Sequence, residues 1–275
     1  MRAPALVLSL VSPIVGCGDT DSAMTAQEVR EAFEAVLVSN AGSALTGEAV
    51  EISTSVTLGA AWEDAVQNTR DFYESQIPCS TVSISDRTVS IDFGELTDLC
   101  TYNDRTYAGI QSMTIVALAD GVAEVSHHFD GFTNGSVTLD GDAAVTWDLA
   151  AGTRHVQHDG TWTLLNSQAL VTTGDRTQRL VDAEAGFTAG ILVDGARTWT
   201  WKDHDWTLDI DSVELRPADP VPQAGAYVLT TPSDRTLTMM FERLDEDTIQ
   251  VVVDGGRQTQ TYNITATGQV SDAAE

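Results

Sequence analysis

Lysine is almost missing from this chain. Lys202 is the only one among 14 basic residues, which stand against 41 acidic residues for a formal net charge of −27. A surface so charged repels nucleic-acid phosphates and anionic lipid headgroups, so nucleic acid is not an expected partner. The acidity suits a solvated coat in salty surroundings, or else a surface that takes a cation or a basic partner. Also absent is any apolar run near the roughly 20 residues that a membrane-crossing helix needs. There is no Gly-x-Ser-x-Gly elbow, His-Glu-x-x-His, P-loop or dinucleotide glycine pattern, so no catalytic residue is assigned. Paired carboxylates for glycoside hydrolysis could still be drawn from so many acids. Proline numbers seven, and Arg216-Pro-Ala-Asp-Pro-Val-Pro222 is the one stretch rich in it, read as a long loop. The rest of the composition is ordinary: 42% apolar and 7% aromatic residues support a folded core.

Residues 1–16 carry one positive charge, Arg2, followed by apolar residues from Ala5 to Val11 and again at Ile14 and Val15. A run of about ten apolar residues has the length of an export signal. It ends in Ile14-Val15-Gly16-Cys17, which resembles the lipobox of bacterial lipoproteins, with Ile14 and Val15 where Leu and a small residue are usual. The resemblance implies a diacylglycerol thioether on Cys17 as the first residue of the mature chain. Ordinary secretory cleavage would leave a thiol there instead, but no Ala-x-Ala site lies nearby. Residues 17–24 then form a short polar tether. Three cysteines in an exported chain leave one odd, and lipidation of Cys17 leaves Cys79 and Cys100 as an even pair.

Residues 25–78 read as a helical cap. Thr25-Ala-Gln-Glu28 fits a capping box, and Val29, Phe33, Val36 and Leu37 form one apolar stripe. Asn40-Ala-Gly42 reads as the stop of this first helix. Val50, Ile52, Thr54, Val56 and Leu58 alternate strictly, which predicts a strand. A second helix is expected from Ala60 to about Gln76, with Trp62, Val66, Thr69 and Tyr73 on one face and Pro78 ending it.

From residue 79 to 265 the pattern is antiparallel β. Val82 and Ile84, then a turn at Ser85–Thr88, then Val89, Ile91 and Phe93 make a half-buried hairpin. A turn centred on Asp86 and Arg87 puts Cys79 opposite Gly94, so the short loop after Gly94 can bring Cys100 back to it; a disulfide is expected. Further runs of alternation include Ile110–Leu118, Val122–Phe129, Ser136–Leu139, Val145–Leu149, Thr161–Leu165, Phe187–Val193, Trp206–Ile210 and Val213–Leu215. Most are shorter than the roughly 9 to 11 residues of a membrane-spanning strand, which argues against a membrane barrel. Asp-Arg-Thr recurs at Asp86, Asp104, Asp175 and Asp234 and reads as a reused turn. The expected fold is mainly β, a long antiparallel meander forming an open curved sheet, a sandwich or a barrel, with two N-terminal helices. Residues 266–275 are a polar tail.

Ile91-Asp92-Phe93-Gly94, then Cys100, Arg105 and Gly109, then Phe132-x-Asn134 with Val137-x-Leu139-x-Gly141, resembles a family of uncharacterised, lipid-anchored bacterial envelope proteins. The resemblance spans roughly residues 79–150. It implies a β-sheet protein on the outer side of a membrane and transfers no catalytic residue.

Trp199, Trp201 and Trp206, with Asp203 and Asp205 between them, are the candidate ligand-binding residues. A turn at Lys202–Asp205 would set Trp201 opposite Trp206, either as core packing or as a sugar-stacking platform flanked by carboxylates. A calcium loop from Asp203, Asp205, Asp209 and Asp211 lacks the EF-hand glycine and glutamate, and a zinc site at the histidine pairs would need ligands from a third strand, so no metal ligand is assigned and Ca²⁺ is the one cofactor left open. His127 and His128 lie on opposite faces of one strand, and His155 and His158 also diverge. Asp140-Gly141-Asp142 reads as a hairpin turn. The functional expectation is an exported protein, lipid-anchored to the cell envelope at the outer membrane, acting as a noncatalytic structural or ligand-binding module. Its partners would be the membrane and a glycan or another envelope protein. The alternatives are a glycan-acting hydrolase and a carrier of an apolar ligand inside a barrel.

Overall fold

The computed structural model describes residues 23–54, 62–98, 100–102, 105–119, 121–148, 150–182, 184, 189–216, 219–257, 259–265 and 268–272. Helices α1 (Ala26–Thr54) and α2 (Trp62–Gln76) precede β1 (Thr81–Ser85), β2 (Thr88–Asp92), β3 (Cys100–Tyr102), β4 (Arg105–Ala119), β5 (Val122–Thr133), β6 (Val137–Asp148), β7 (Thr153–Leu164) and β8 (Ala169–Leu180). The chain continues through β9 (Ile191–Trp201), β10 (His204–Leu215), β11 (Ala224–Thr230), β12 (Thr236–Arg243), β13 (Thr248–Asp254), β14 (Thr259–Thr265) and β15 (Val270–Asp272). These strands form one antiparallel 15-stranded sheet in which sequence neighbours pair, except that β2 pairs β4 and β3 joins β4 beside that path. The chain divides into two compact units, one of residues 36–178 and 197–204, the other of residues 1–35, 179–196 and 205–275.

In the first of these units α1 lies on the buried face of the sheet. Val36, Ser39, Gly42, Ser43, Thr46, Ala49 and Val50 are its buried side, spaced three and four apart, whereas Ala41 and Ala44 are exposed. The Trp162 indole of β7 occupies the space where a side chain at Gly42 would be: an added Cβ would lie 2.6 Å from Trp162 Cγ. Trp162 Nε1 donates to Thr46 Oγ1 at 3.2 Å, and Thr46 Oγ1 in turn donates to the Gly42 carbonyl at 3.1 Å. One turn later Gln111 of β4 donates to the Ala49 carbonyl at 2.8 Å, and Val50 packs with Val145 and Val156. Gly42 is therefore a contact point and not the end of the helix. The strand expected at Val50–Leu58 is likewise corrected: helix continues to Thr54, and Val56 and Leu58 lie outside the described residues. Period-two alternation lost because the helical stripe through Ser39, Ser43, Thr46 and Val50 meets the sheet, and local pattern yields to tertiary burial.

The expected hairpin is observed. Ser85 pairs Thr88 and Thr81 pairs Asp92, around a two-residue turn in which Asp86 has a φ of 53°. Cys79 and Cys100 are disulfide-bonded with their Cα atoms 5.3 Å apart. Behind them Tyr73, Phe93, Tyr107, Phe129 and Phe132 form a chain of ring contacts with centroids 5.5 to 6.2 Å apart. α2 spans Trp62–Gln76 as expected, with Val66, Thr69 and Tyr73 buried.

Several expected breaks are strand interior. Asp140-Gly141-Asp142 is the middle of β6, which joins two runs into one 12-residue strand. Gly141 faces Gly160 of β7, and with a φ of 136° a Cβ there would come within 2.5 Å of Gly160 Cα. Here the glycine serves close approach of two strands, not a turn. Asp175 is likewise inside β8, while Asp234, with a φ of 57°, does turn the chain between β11 and β12; Asp104 lies outside the described residues. β5 to β8 reach 12 residues each, longer than the runs read from sequence. Length thus does not argue against a membrane barrel, but Glu124, His128, Asp142 and Asp159 on their exposed face would each be costly toward lipid.

In the other unit β10 to β15 form a meander around Leu208, Leu229, Leu237, Ile249, Val253 and Ile264. The capping box forms there as expected: the Thr25 backbone NH donates to Glu28 Oε2 at 2.6 Å, and the Glu28 NH to Thr25 Oγ1 at 3.3 Å. These bonds, with the nearby Arg235 and Arg257 charges, hold the Glu28 carboxyl below its usual range.

Candidate functional site

The tryptophan hairpin is tighter than its sequence suggests. Lys202 and Asp203 alone make the turn, with φ values of 53° and 62°, and β10 begins at His204. The four-residue turn that would set Trp201 opposite Trp206 does not form, and Trp201 instead flanks the turn with His204. Trp199, Trp201 and Trp206 are 2%, 5% and 6% exposed, so their ring faces are turned away from solvent. Asp203 and Asp205 are exposed. The one lysine lies with its Nζ 3.9 Å from the centroid of the Trp201 ring, a cation–π contact. Asp209 and Asp211 are exposed on β10, and among the described residues no group of three or more His, Cys, Asp or Glu side chains is arranged to hold a metal ion.

A second constellation went unrecognised in the sequence. Arg154 of β7, Arg176 of β8 and Arg197 of β9 are buried on the sheet face that carries α1, together with His127 and His158. Arg176 Nη1 donates to Ser43 Oγ at 2.7 Å, Arg197 donates to the Asn40 side-chain oxygen, and Arg154 Nε donates to Gln178 Oε1 at 2.6 Å. His158 stacks on Trp162 with centroids 5.6 Å apart. Burial, with the Arg176 and Arg197 charges, pushes its imidazole down to about 3; burial, with Arg154, does the same to His127. Such neutral rings are poor general bases at neutral pH. The hydroxyl that His158 Nε2 meets, Thr172 Oγ1 at 3.4 Å, already donates to the Thr198 carbonyl, so the pair is no activated nucleophile. The signal was present in strand phase. Arg154, Val156 and His158 alternate in register, as do Arg197, Trp199 and Trp201, which puts the arginines on the apolar side.

The opposite, exposed face is laced by its own side chains. Ser90 and Ser112 share a hydrogen bond at 2.8 Å, His128 Nδ1 meets Asp142 Oδ1 at 2.9 Å, and Thr173 and Thr198 meet at 2.8 Å. Asp175 accepts from His155 at 2.6 Å and from Gln157 at 2.8 Å, and these two bonds hold its carboxyl below its usual range. His128 and His155 are thus separated by the sheet from buried His127 and His158, as alternation requires. The lipid-attachment candidate Cys17 lies outside the described residues. Comparison of the chain with models of protein families, with curated proteins and with solved structures finds no match.

Proposed function

We propose that this chain is an exported protein, lipid-anchored through Cys17 to the cell envelope at the outer membrane, and that it works there as a noncatalytic structural or ligand-binding module. The observation that carries the noncatalytic part is the packing of α1 onto the sheet, with Trp162 filling the place of a side chain at Gly42. The face on which a barrel would build a ligand site is occupied by the protein's own helix, and the ionisable groups buried beside it are arginines and neutral histidines. A carrier of an apolar ligand would need that volume. A glycan hydrolase would need two carboxylates facing one cleft, and among the described residues no Asp or Glu lies buried with the arginines and histidines of that face. Binding of a glycan or an envelope protein would fall to the exposed polar face.

The Cys79–Cys100 disulfide supports export and leaves Cys17 as the odd cysteine. Intact-mass measurement of detergent-extracted protein is expected to show acylation at Cys17, and Cys17→Ser is expected to release the protein from the membrane fraction. A variant that stays membrane-bound would refute the anchor.

A further inference from the structure

The first described residues are fastened to two particular turns. The Met24 NH donates to the Gly255 carbonyl at 3.0 Å, and Arg235 Nη1 donates to the Ala23 carbonyl at 3.1 Å and to both Glu28 oxygens at 2.8 and 2.9 Å. Ala23 and Met24 are buried, and a Cβ at Gly255 would lie 3.1 Å from Val29 Cγ2 and 3.6 Å from Met24 Cβ. The described residues therefore begin between the β11–β12 turn, which holds Asp234 and Arg235, and the β13–β14 turn, which holds Gly255 to Arg257. Cys17 precedes Ala23 by six residues, a reach of about 20 Å even when fully extended.

The geometry points to this end of the sheet as the surface that faces the membrane, with the β12–β13 turn at the opposite end of the same strands held away from it. The inference rests on lipid attachment at Cys17. β13 runs from Thr248 to Asp254, so the two ends are separated by about 20 Å along the strands. Charge favours the same orientation. The near turns set Arg235 and Arg257 against Asp234, Asp254 and the Glu28 that Arg235 holds, leaving one negative charge, whereas the far turn is Asp245-Glu246-Asp247, three consecutive exposed carboxylates beside an Arg243 already paired with Asp219. An anionic headgroup layer repels the far turn and tolerates the near one. The partner is thus a phospholipid surface reached by the protein's own anchor.

Energy transfer measures this directly. Full-length lipidated protein carrying Arg257→Cys or Glu246→Cys, both exposed positions, is labelled with a donor dye. It is then reconstituted in vesicles of phosphatidylethanolamine and phosphatidylglycerol bearing a headgroup acceptor. The label at 257 is expected to transfer about twofold or more as efficiently as that at 246, given a strand length between them. A Gly/Ser insertion of about 20 residues between Ser22 and Ala23 is expected to abolish the difference. Equal or reversed efficiencies in protein that partitions into vesicles would overturn the orientation and leave the anchor standing. Failure to partition would overturn both.

Discussion

Trp162 and Gly42 are complementary, and the pair can be tested at single-residue resolution. Gly42→Ala is expected to destabilise the protein by about 1 to 3 kcal/mol, seen as a lower urea midpoint, because the added methyl meets an indole that is itself fully buried. Trp162→Leu should also destabilise, yet the double variant should cost less than the two changes summed, since the smaller side chain makes room for the methyl. The buried histidines give the pH dependence. In the folded protein His127 and His158 titrate near 3, against about 6.5 in the unfolded chain. Between those values the unfolded state binds more protons, so their contribution is fully present above about pH 6.5 and is lost as pH falls toward 3. Urea melts from pH 7 to 4 should show this slope, and His127→Phe should flatten part of it. A slope unchanged in that variant would mean the imidazole is not buried neutral.

At the scale of elements, the turns with left-handed residues are where a change is most readable. Lys202 and Asp203 both pay the cost of positive φ, about 1 kcal/mol or more for a side-chain-bearing residue. Asp203→Gly is therefore expected to raise the melting temperature, whereas Asp203→Val should lower it. Equal melting temperatures for the two variants would show that this turn does not form. The same scale explains which signals misled. Asp-Arg-Thr is a turn at Asp86 and at Asp234 but strand at Asp175, where the carboxylate accepts from His155 and Gln157 across the exposed face. A short polar residue can bond its own backbone or a neighbouring strand, and the choice depends on whether a partner strand is there. β8 was invisible as an apolar run because Thr172, Arg176 and Gln178 occupy its buried side. β10 reads as two runs because of an irregularity between Asp211 and Glu214, where Ser212 has a φ of 49°.

For the molecule as a whole, the disulfide and the net charge govern stability. Cys79 and Cys100 are 21 residues apart, and opening that loop by Cys100→Ser should cost about 3 kcal/mol, measured by denaturant melts with and without reductant. With a net charge of −27, raising NaCl from about 0.05 to 0.5 M should raise the melting temperature by screening self-repulsion, whichever cation is used. A shift unique to Ca²⁺ would instead mark a bound ion. The sequence by itself determined the β class, the first hairpin with its disulfide, the capping box at Thr25–Glu28 and the second helix, because each depends on residues within a turn or two of one another. Only the tertiary structure decided that α1 continues through Gly42, that three arginines and two histidines lie inside, and that the indoles of the 199–206 hairpin are covered. Those outcomes depend on what a distant segment presents: a glycine on a helix admits an indole from a strand more than a hundred residues away, and an arginine is buried where the facing helix offers a serine or an asparagine.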